Sequence, residues 1–411
     1  MKKDRPAHAP IRSFPVENDE LIVGGMTVRQ LAAFAGQTPF YAYSREAIAA
    51  RIGELRGVLP SDISIHYAIK ANPMPAVVDH VAGLVDGLDV ASLGELHTAI
   101  AAGMNPAEIS FAGPGKGESE LAAAIAAGVT LNVESPGELE RAAVQSAKLG
   151  IKAMVAIRVN PDFELKSSGM KMAGGAKQFG IDAELVPDVL KRVKELDLHF
   201  RGFHIFSGSQ NLQAGSLIEA QTATFDLAYR LNEHAPSPTE VLNIGGGFGV
   251  PYFPGDVPLD LGPVSENLAK LLAEAKPRLA GAEMVLELGR YLVAEAGIYV
   301  CRVIDKKISR GRQFLVTDGG LHHNLAASGN FGQVIRKNYP VVNAHRVQET
   351  PREKVSVVGP LCTPLDLLGD KMELGVAEEG DYVVVLQSGA YGYSASPHRF
   401  LGHPEAIEVM V

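Results

Sequence analysis

An α/β chain made of a (β/α)8 TIM barrel and an antiparallel β domain is the fold the sequence predicts. Three observations carry that expectation. Between residues 40 and 297, eight short strand-like runs alternate with Ala/Leu/Glu-rich stretches of helical period. Several of those stretches (GELHTAIAAG, SELAAAIAAG and GELERAAVQSAKLG) close on a glycine, as a helix C-cap does. After about residue 297 the helical period gives way to strands separated by turn-like sequence.

The strand candidates run in order SIHYAIK (64–70), GLDVAS (87–92), EISFAG (108–113), TLNVES (130–135), AMVAIRVN (153–160), RGFHIF (201–206), EVLNIGG (240–246) and EMVLELG (283–289). Each is followed by helical sequence, directly or after a loop. Such alternation implies a parallel sheet, and eight units imply a closed barrel. The later runs GIYVCRVIDKKI, RQFLVTDGG, KVSVVGPLC and DYVVVLQSGAY read as β domain, and LIVGGMTV near the start reads as a strand joining it. The expected division is a barrel over 38–297 and a β domain from 1–37 and 298–411.

Composition narrows the function. A net charge of −9 gives no basic footprint for nucleic acid or an anionic membrane. No apolar run is long enough to span a bilayer, and the first residues lack the apolar core of a secretory signal. The two cysteines, Cys301 and Cys362, are too few for a disulfide framework, which points to a reducing, cytoplasmic location.

In a barrel of this type chemistry gathers at the C-terminal strand ends. Those ends carry Lys70, Asp89, Gly113, Glu134, Arg158, His204, the triplet Gly245, Gly246 and Gly247, then Glu287 with Arg290. Taken singly, each has an ordinary reading. Lys70 can be a solvated strand-end lysine, His204 a hydrogen-bonded core residue, and the glycines a tight turn or a backbone cradle for an anion. Glu287 ends an apolar strand, where an unpaired carboxylate would be expensive. Its cationic partner is either Arg290 or a protonated ring nitrogen on a ligand. GPGKGE (113–118) lacks the GxxxxGK[ST] spacing and is not a nucleotide loop. Together, a lysine, an anion cradle, a flat histidine and a deep carboxylate match what pyridoxal 5′-phosphate requires.

With these residues in view the sequence resembles the fold-type III pyridoxal phosphate decarboxylases, which include the ornithine, arginine and diaminopimelate enzymes. The markers are YAIKAN (67–72), DVASLGEL (89–96), NVES (132–135), RVNP (158–161), QFGI (178–181), FHIFSGSQ (203–210), NIGGGF (243–248), ELGR (287–290), GPLC (359–362) and SGAY (388–391). The resemblance covers nearly the whole chain and implies an alanine racemase-like barrel. It further implies a Schiff base on Lys70, a ring-stacking His204, and Glu287 as partner of the pyridinium nitrogen in a quinonoid intermediate. Asp89, Arg158, Gly289, Ser207 (with Ser209 as its rival), Gly245, Gly246, Gly247, Arg290 and Tyr391 fall among the cofactor contacts. Cys362 matches the family's proton donor, which enters the partner subunit's site, so a homodimer with shared active sites is implied.

Two departures bear on substrate. Thr363 follows the cysteine where diaminopimelate enzymes carry glutamate, and Asp318–Gly329 contains no arginine. Asp366, His322, His323 and Tyr391 are the substrate-binding candidates. The stretch LHHNLAASGNFGQ is similar to the branch associated with the exosortase A system and with amino acids tethered to acyl carrier proteins. The substrate is thus expected to be an amino acid, free or carrier-bound. A diaminopimelate or ornithine-type decarboxylase is the alternative within the family. Outside it stand a single-domain pyridoxal phosphate-homeostasis protein, which lacks a β domain, and a catalytically inactive homologue acting as a binding protein.

Overall fold

A computed structural model describes residues 8–163, 170–171, 175–333 and 335–411. The chain divides into two compact units, Ile52–Val250 with Pro258–Gly289, and Met1–Arg51 with Pro251–Val257 and Arg290–Val411.

The first unit is the barrel. Its strands are β1 (Ile63–Ala68), β2 (Gly87–Val90), β3 (Ile109–Phe111), β4 (Thr130–Val133), β5 (Met154–Asn160), β6 (His199–Ile205), β7 (Val241–Gly246) and β8 (Glu283–Leu288). Each pairs in parallel with the next, and β8 returns to β1 through registers such as Leu286 with Ile65, closing the barrel. Family markers turn out to be strand-to-helix joints. Ser92 and Ser135 end DVAS and NVES and cap the helices Leu93–Ala101 and Pro136–Leu149, accepting the N–H of Glu95 and Glu138. Those glutamates reach back to the N–H of Ala91 and Glu134. Gly128 and Gly150 take the left-handed conformation at helix ends, as a C-capping glycine does.

The second unit is built on a sheet ordered Val341–Asn343, Tyr382–Val385, Gly297–Ser309, Arg312–Thr317, Arg352–Val358 and Leu367–Gly375. It is antiparallel with two exceptions: Arg312–Thr317 runs parallel to Arg352–Val358, and Ile407–Met410 parallel to Phe40–Tyr43. Phe40–Tyr43 hydrogen-bonds along Gly297–Val300, and residues 38–51, 251–257 and 290–297, expected in the barrel, count with this unit. LIVGGMTV does not run as one strand. Gly24 and Gly25 adopt positive φ and fold Glu20–Val23 back onto Met26–Thr27 in a separate three-stranded sheet. That sheet is held by Leu21 N–H on the Ala344 carbonyl (3.0 Å), and Leu21, Val23 and Leu31 enter the same apolar core as Phe40, Ile298 and Val384. Leu367–Gly375 escapes a sequence reading because Lys371 sits at positive φ and the pairing slips register, which breaks its alternation. Among the described residues no helix is long and apolar enough to cross a membrane.

Candidate active site

IHYAIKANP ends its strand for a local reason. After Ala68 the chain enters a single turn, Ile69–Ala71, closed by the Asn72 N–H on the Ile69 carbonyl (2.9 Å). Asn72 is buried; its side chain accepts from Met74 N–H (3.1 Å) and its carbonyl from the Tyr67 hydroxyl (3.0 Å). Pro73 then excludes helix at Asn72. The turn lifts Lys70 off the strand, leaving its side chain 46% exposed at the C-terminal end of the barrel. Gly289 lies against this turn, where a Cβ would come 3.0 Å from the Ala71 methyl.

Glu287 is the centre of charge. Lys70 Nζ is 3.6 Å from Oε1 and His204 Nε2 is 3.1 Å from Oε2. The histidine contact falls short of hydrogen-bond alignment, so Oε2 and both imidazole nitrogens stay buried without a hydrogen bond. Burial alone would raise the Glu287 carboxyl. The fields of Lys70, His204 and Arg158 outweigh it and hold the group well below the usual carboxylate range. Its cationic neighbours in the barrel are Lys70 and His204. Arg158 is buried and spends itself on Glu134 (2.7 Å), whose oxygens also accept Gly113 N–H (2.5 Å) and Gly180 N–H (3.2 Å). Asp89 takes the Ser110 hydroxyl, leaving Oδ2 buried with no hydrogen bond.

The glycine triplet follows the same end of the barrel. Gly245 and Gly247 have φ of 68° and 80°, and Gly245 N–H is fixed by the Asn243 side chain (2.8 Å). A side chain at Gly246 would collide with the Glu287 backbone, so only bare backbone fits there. Ser207 is half-buried on the loop after β6, while Ser209 is drawn into a short strand pairing with Met170–Lys171.

In the second unit, the Arg290 guanidinium lies 4.6 Å from the Tyr391 ring centre and 3.3 Å from the Tyr252 hydroxyl. It meets no carboxylate among the described residues. Burial would lower its pKa, but the surrounding tyrosines reverse the sign and keep it cationic. Tyr391 itself sits at a φ of 52°. Cys362 presents an exposed thiol on the loop after Arg352–Val358.

Three substrate-binding expectations meet a different structure. Both Asp366 oxygens are taken by backbone, Oδ1 by Leu321 N–H (2.6 Å) and Oδ2 by Leu361 N–H (2.9 Å), so it clamps two loops together. His323 is fully buried, with Nε2 on the Pro404 carbonyl (2.8 Å) and Nδ1 beside the Tyr299 hydroxyl (3.3 Å). His322 stacks on it at 3.7 Å between ring centres. Burial, then neighbouring histidines, push His322 down to about 3. Burial likewise takes His323 to about 4. Burial thus favours the neutral form of both rings.

Sequence reading missed Tyr252, in the proline-bracketed VPYFP, and the buried pair Lys116 and Glu138, 2.7 Å apart. Lys116 also donates to the carbonyls of Gly113 and Asn132, so the lysine of GPGKGE is an internal brace. Its flanking glycines concealed that, because they look like an open loop.

Residues 45–294 match the family model described as "Pyridoxal-dependent decarboxylase, pyridoxal binding domain". The L-glutamyl-[BtrI acyl-carrier protein] decarboxylase of Niallia circulans is 40% identical over 384 residues, 91% of this chain and 89% of that protein. The diaminopimelate decarboxylase of Aquifex aeolicus is 34% identical, over 95% of this chain and 90% of its own. Among solved structures, diaminopimelate decarboxylase from M. jannaschii in complex with L-lysine superposes with a TM-score of 0.89 at 26% identity, covering 98% of this chain and 93% of that one. The residues present fit pyridoxal phosphate: a half-exposed lysine amine, a buried carboxylate oxygen without a hydrogen bond, and backbone bared by glycine. The chain belongs to the pyridoxal-dependent decarboxylases, and it is a pyridoxal phosphate-dependent amino acid decarboxylase on a (β/α)8 barrel.

Proposed function

We propose that the enzyme decarboxylates an amino acid tethered to an acyl carrier protein. The observation that carries this reading is that the acidic side chains of the two substrate-facing segments are already committed. Asp366 holds two backbone N–H groups, while Asp318 holds Arg302 N–H (2.8 Å) and the Thr38 hydroxyl. Thr363 stands where a glutamate would receive a distal amine. These segments therefore offer no carboxylate to the second ammonium of diaminopimelate or ornithine. A thioester-linked side chain has no such charge, and the likeness to the carrier-protein enzyme of Niallia circulans supports the same choice. Decarboxylation needs the α-amine and α-carboxylate free, so the tether runs through a distal carboxyl, as on glutamate or aspartate.

When bound, pyridoxal phosphate supplies the sink for the electron pair left as the Cα–carboxylate bond breaks. In this reading Lys70 anchors the cofactor and Glu287 holds a proton at its ring nitrogen. His204 and Arg158 favour that ionised carboxylate, and Asp89 would be a further cofactor contact. Gly245, Gly246, Gly247, Ser207, Arg290 and Tyr391 would serve phosphate recognition, Gly289 would be a further cofactor contact, and Cys362 would return a proton to Cα. The exposed thiol of Cys362 supports a reducing, cytoplasmic setting.

The test is intact-carrier mass spectrometry on glutamyl- and aspartyl-loaded carrier protein, set against free glutamate, aspartate, diaminopimelate, ornithine and lysine. The loaded carrier should exceed the free amino acids in kcat/KM by about 100-fold or more, since remote binding energy is available only to it. Faster turnover of free diaminopimelate refutes the proposal.

We further propose a two-fold homodimer in which Cys362 serves the partner subunit's Lys70. Mixing inactive Lys70→Ala and Cys362→Ala then rebuilds one intact site per heterodimer. Random exchange should restore about a quarter of wild-type activity. Heterodimers verified by mass that show no gain over either parent rule out the shared site.

A further inference from the structure

The N-terminal end of the barrel, opposite Lys70, holds chemistry that decarboxylation does not use. Glu108 immediately precedes β3 and Glu283 opens β8, so both carboxylates stand where those strands begin. His66, from the middle of β1, completes the group. Among the described residues, one ligand atom from each of the three lies within 4.8 Å of the others. They line a partly open cavity of about 30 Å³ together with Ser110, Asn132 and Asn243. That is room for a water or a partly dehydrated ion.

His66 itself indicates that something is held there. It is only 6% exposed, and neither ring nitrogen makes a hydrogen bond. Its Nδ1 is 3.7 Å from Asp89 Oδ1, beyond hydrogen-bond reach. Asp89, Glu283 and Glu108 favour a charged ring, but buried ring nitrogens that make no hydrogen bond are costly unless a ligand meets them. The ring is also seated deliberately: any side chain at Gly87 would run into it, so glycine there makes space. The layer departs from the branched apolar filling of an ordinary barrel interior. Arg201, on the same wall, gives one guanidinium nitrogen to Glu240 at 3.0 Å, while its Nε is buried without a hydrogen bond.

We propose that His66, Glu108 and Glu283 form a binding site for a first-row divalent cation. One imidazole and two carboxylates suit Zn2+ or Mn2+ better than Mg2+, which prefers oxygen alone. The cation joins β1, β3 and β8, neutralises two neighbouring carboxylates and gives a ring nitrogen that makes no hydrogen bond a ligand. It is a structural site on the side of His66 away from Lys70, separated from the cofactor residues by the layer that holds Asp89.

The experiment uses untagged, full-length holoenzyme stripped with a chelator, then titrated calorimetrically with Zn2+, Mn2+ and Mg2+. One equivalent of Zn2+ or Mn2+ should bind, Mg2+ should bind at least tenfold more weakly, and metal should raise the thermal midpoint. Glu108→Gln and Glu283→Gln each should weaken binding by tenfold or more. Both variants are half-exposed isosteres, chosen because His66 replacements risk misfolding; normal cofactor absorbance verifies that they fold. Absence of saturable binding overturns the proposal and leaves a proton on His66 to balance the carboxylates. Binding that is unchanged in both variants also overturns it, by placing the metal elsewhere.

Discussion

Lys70→Ala is expected to abolish turnover, lowering kcat by about 10⁴-fold or more, the scale on which loss of a covalent-catalysis residue is felt. The motivation is geometric. Lys70 is raised on its own turn at the catalytic end of the barrel, 3.6 Å from a carboxylate held ionised. Stability should fall as well, because alanine removes the cation that does most to keep buried Glu287 ionised. Borohydride treatment of wild-type holoenzyme, followed by peptide mapping, should find the pyridoxyl label on Lys70. A label on another lysine, or near-normal CO2 release by Lys70→Ala, would refute the assignment.

Glu287→Gln should retain cofactor but lose about 10²- to 10³-fold in kcat, the range seen when a preorganised charge is removed from a reacting system. Glutamine keeps the shape and removes the charge that Lys70 and His204 face. The pH dependence follows from the direction of the shift. Glu287 is held far below its ordinary range in the folded chain, so it stays ionised through mildly acidic pH. Its contribution to stability is present above the unfolded carboxyl pKa and is lost only as pH falls toward the lower folded value. The acid limb of the activity profile should therefore belong to another group and survive in the variant. Cofactor absorbance and single-turnover kinetics would separate lost binding from lost chemistry. Near-normal single-turnover rates would sink the role given to Glu287.

Much of the barrel was legible because parallel strands buried on both faces must be nearly continuous β-branched runs, and the helices between them must cap and stop. All eight runs, from SIHYAIK to EMVLELG, correspond to strands of the closed sheet. The rim was legible for the same reason, since strand ends fix where Lys70, His204 and Glu287 emerge. The β unit was read less well. Phe40–Tyr43 looked like barrel by position, yet its partners are Gly297–Val300 and the distant Ile407–Met410.

What the sequence by itself determined is the local chemistry: which residue types stand at which strand ends, where serines start helices and glycines stop them, and which family those motifs belong to. What only tertiary structure decided is how each ionisable group is occupied. Asp366 and His323 looked available for substrate, but backbone groups hold them: Leu361 N–H nearby and Leu321 N–H from another loop on Asp366, and the distant Pro404 carbonyl on His323. Lys116 looked like a loop residue and is sealed against Glu138. His66 looked like one more strand residue and faces two carboxylates across a small cavity. The physical reason is common to all four. A polar side chain's role depends on its partners and its distance from water, and folding sets both through contacts tens to hundreds of residues away.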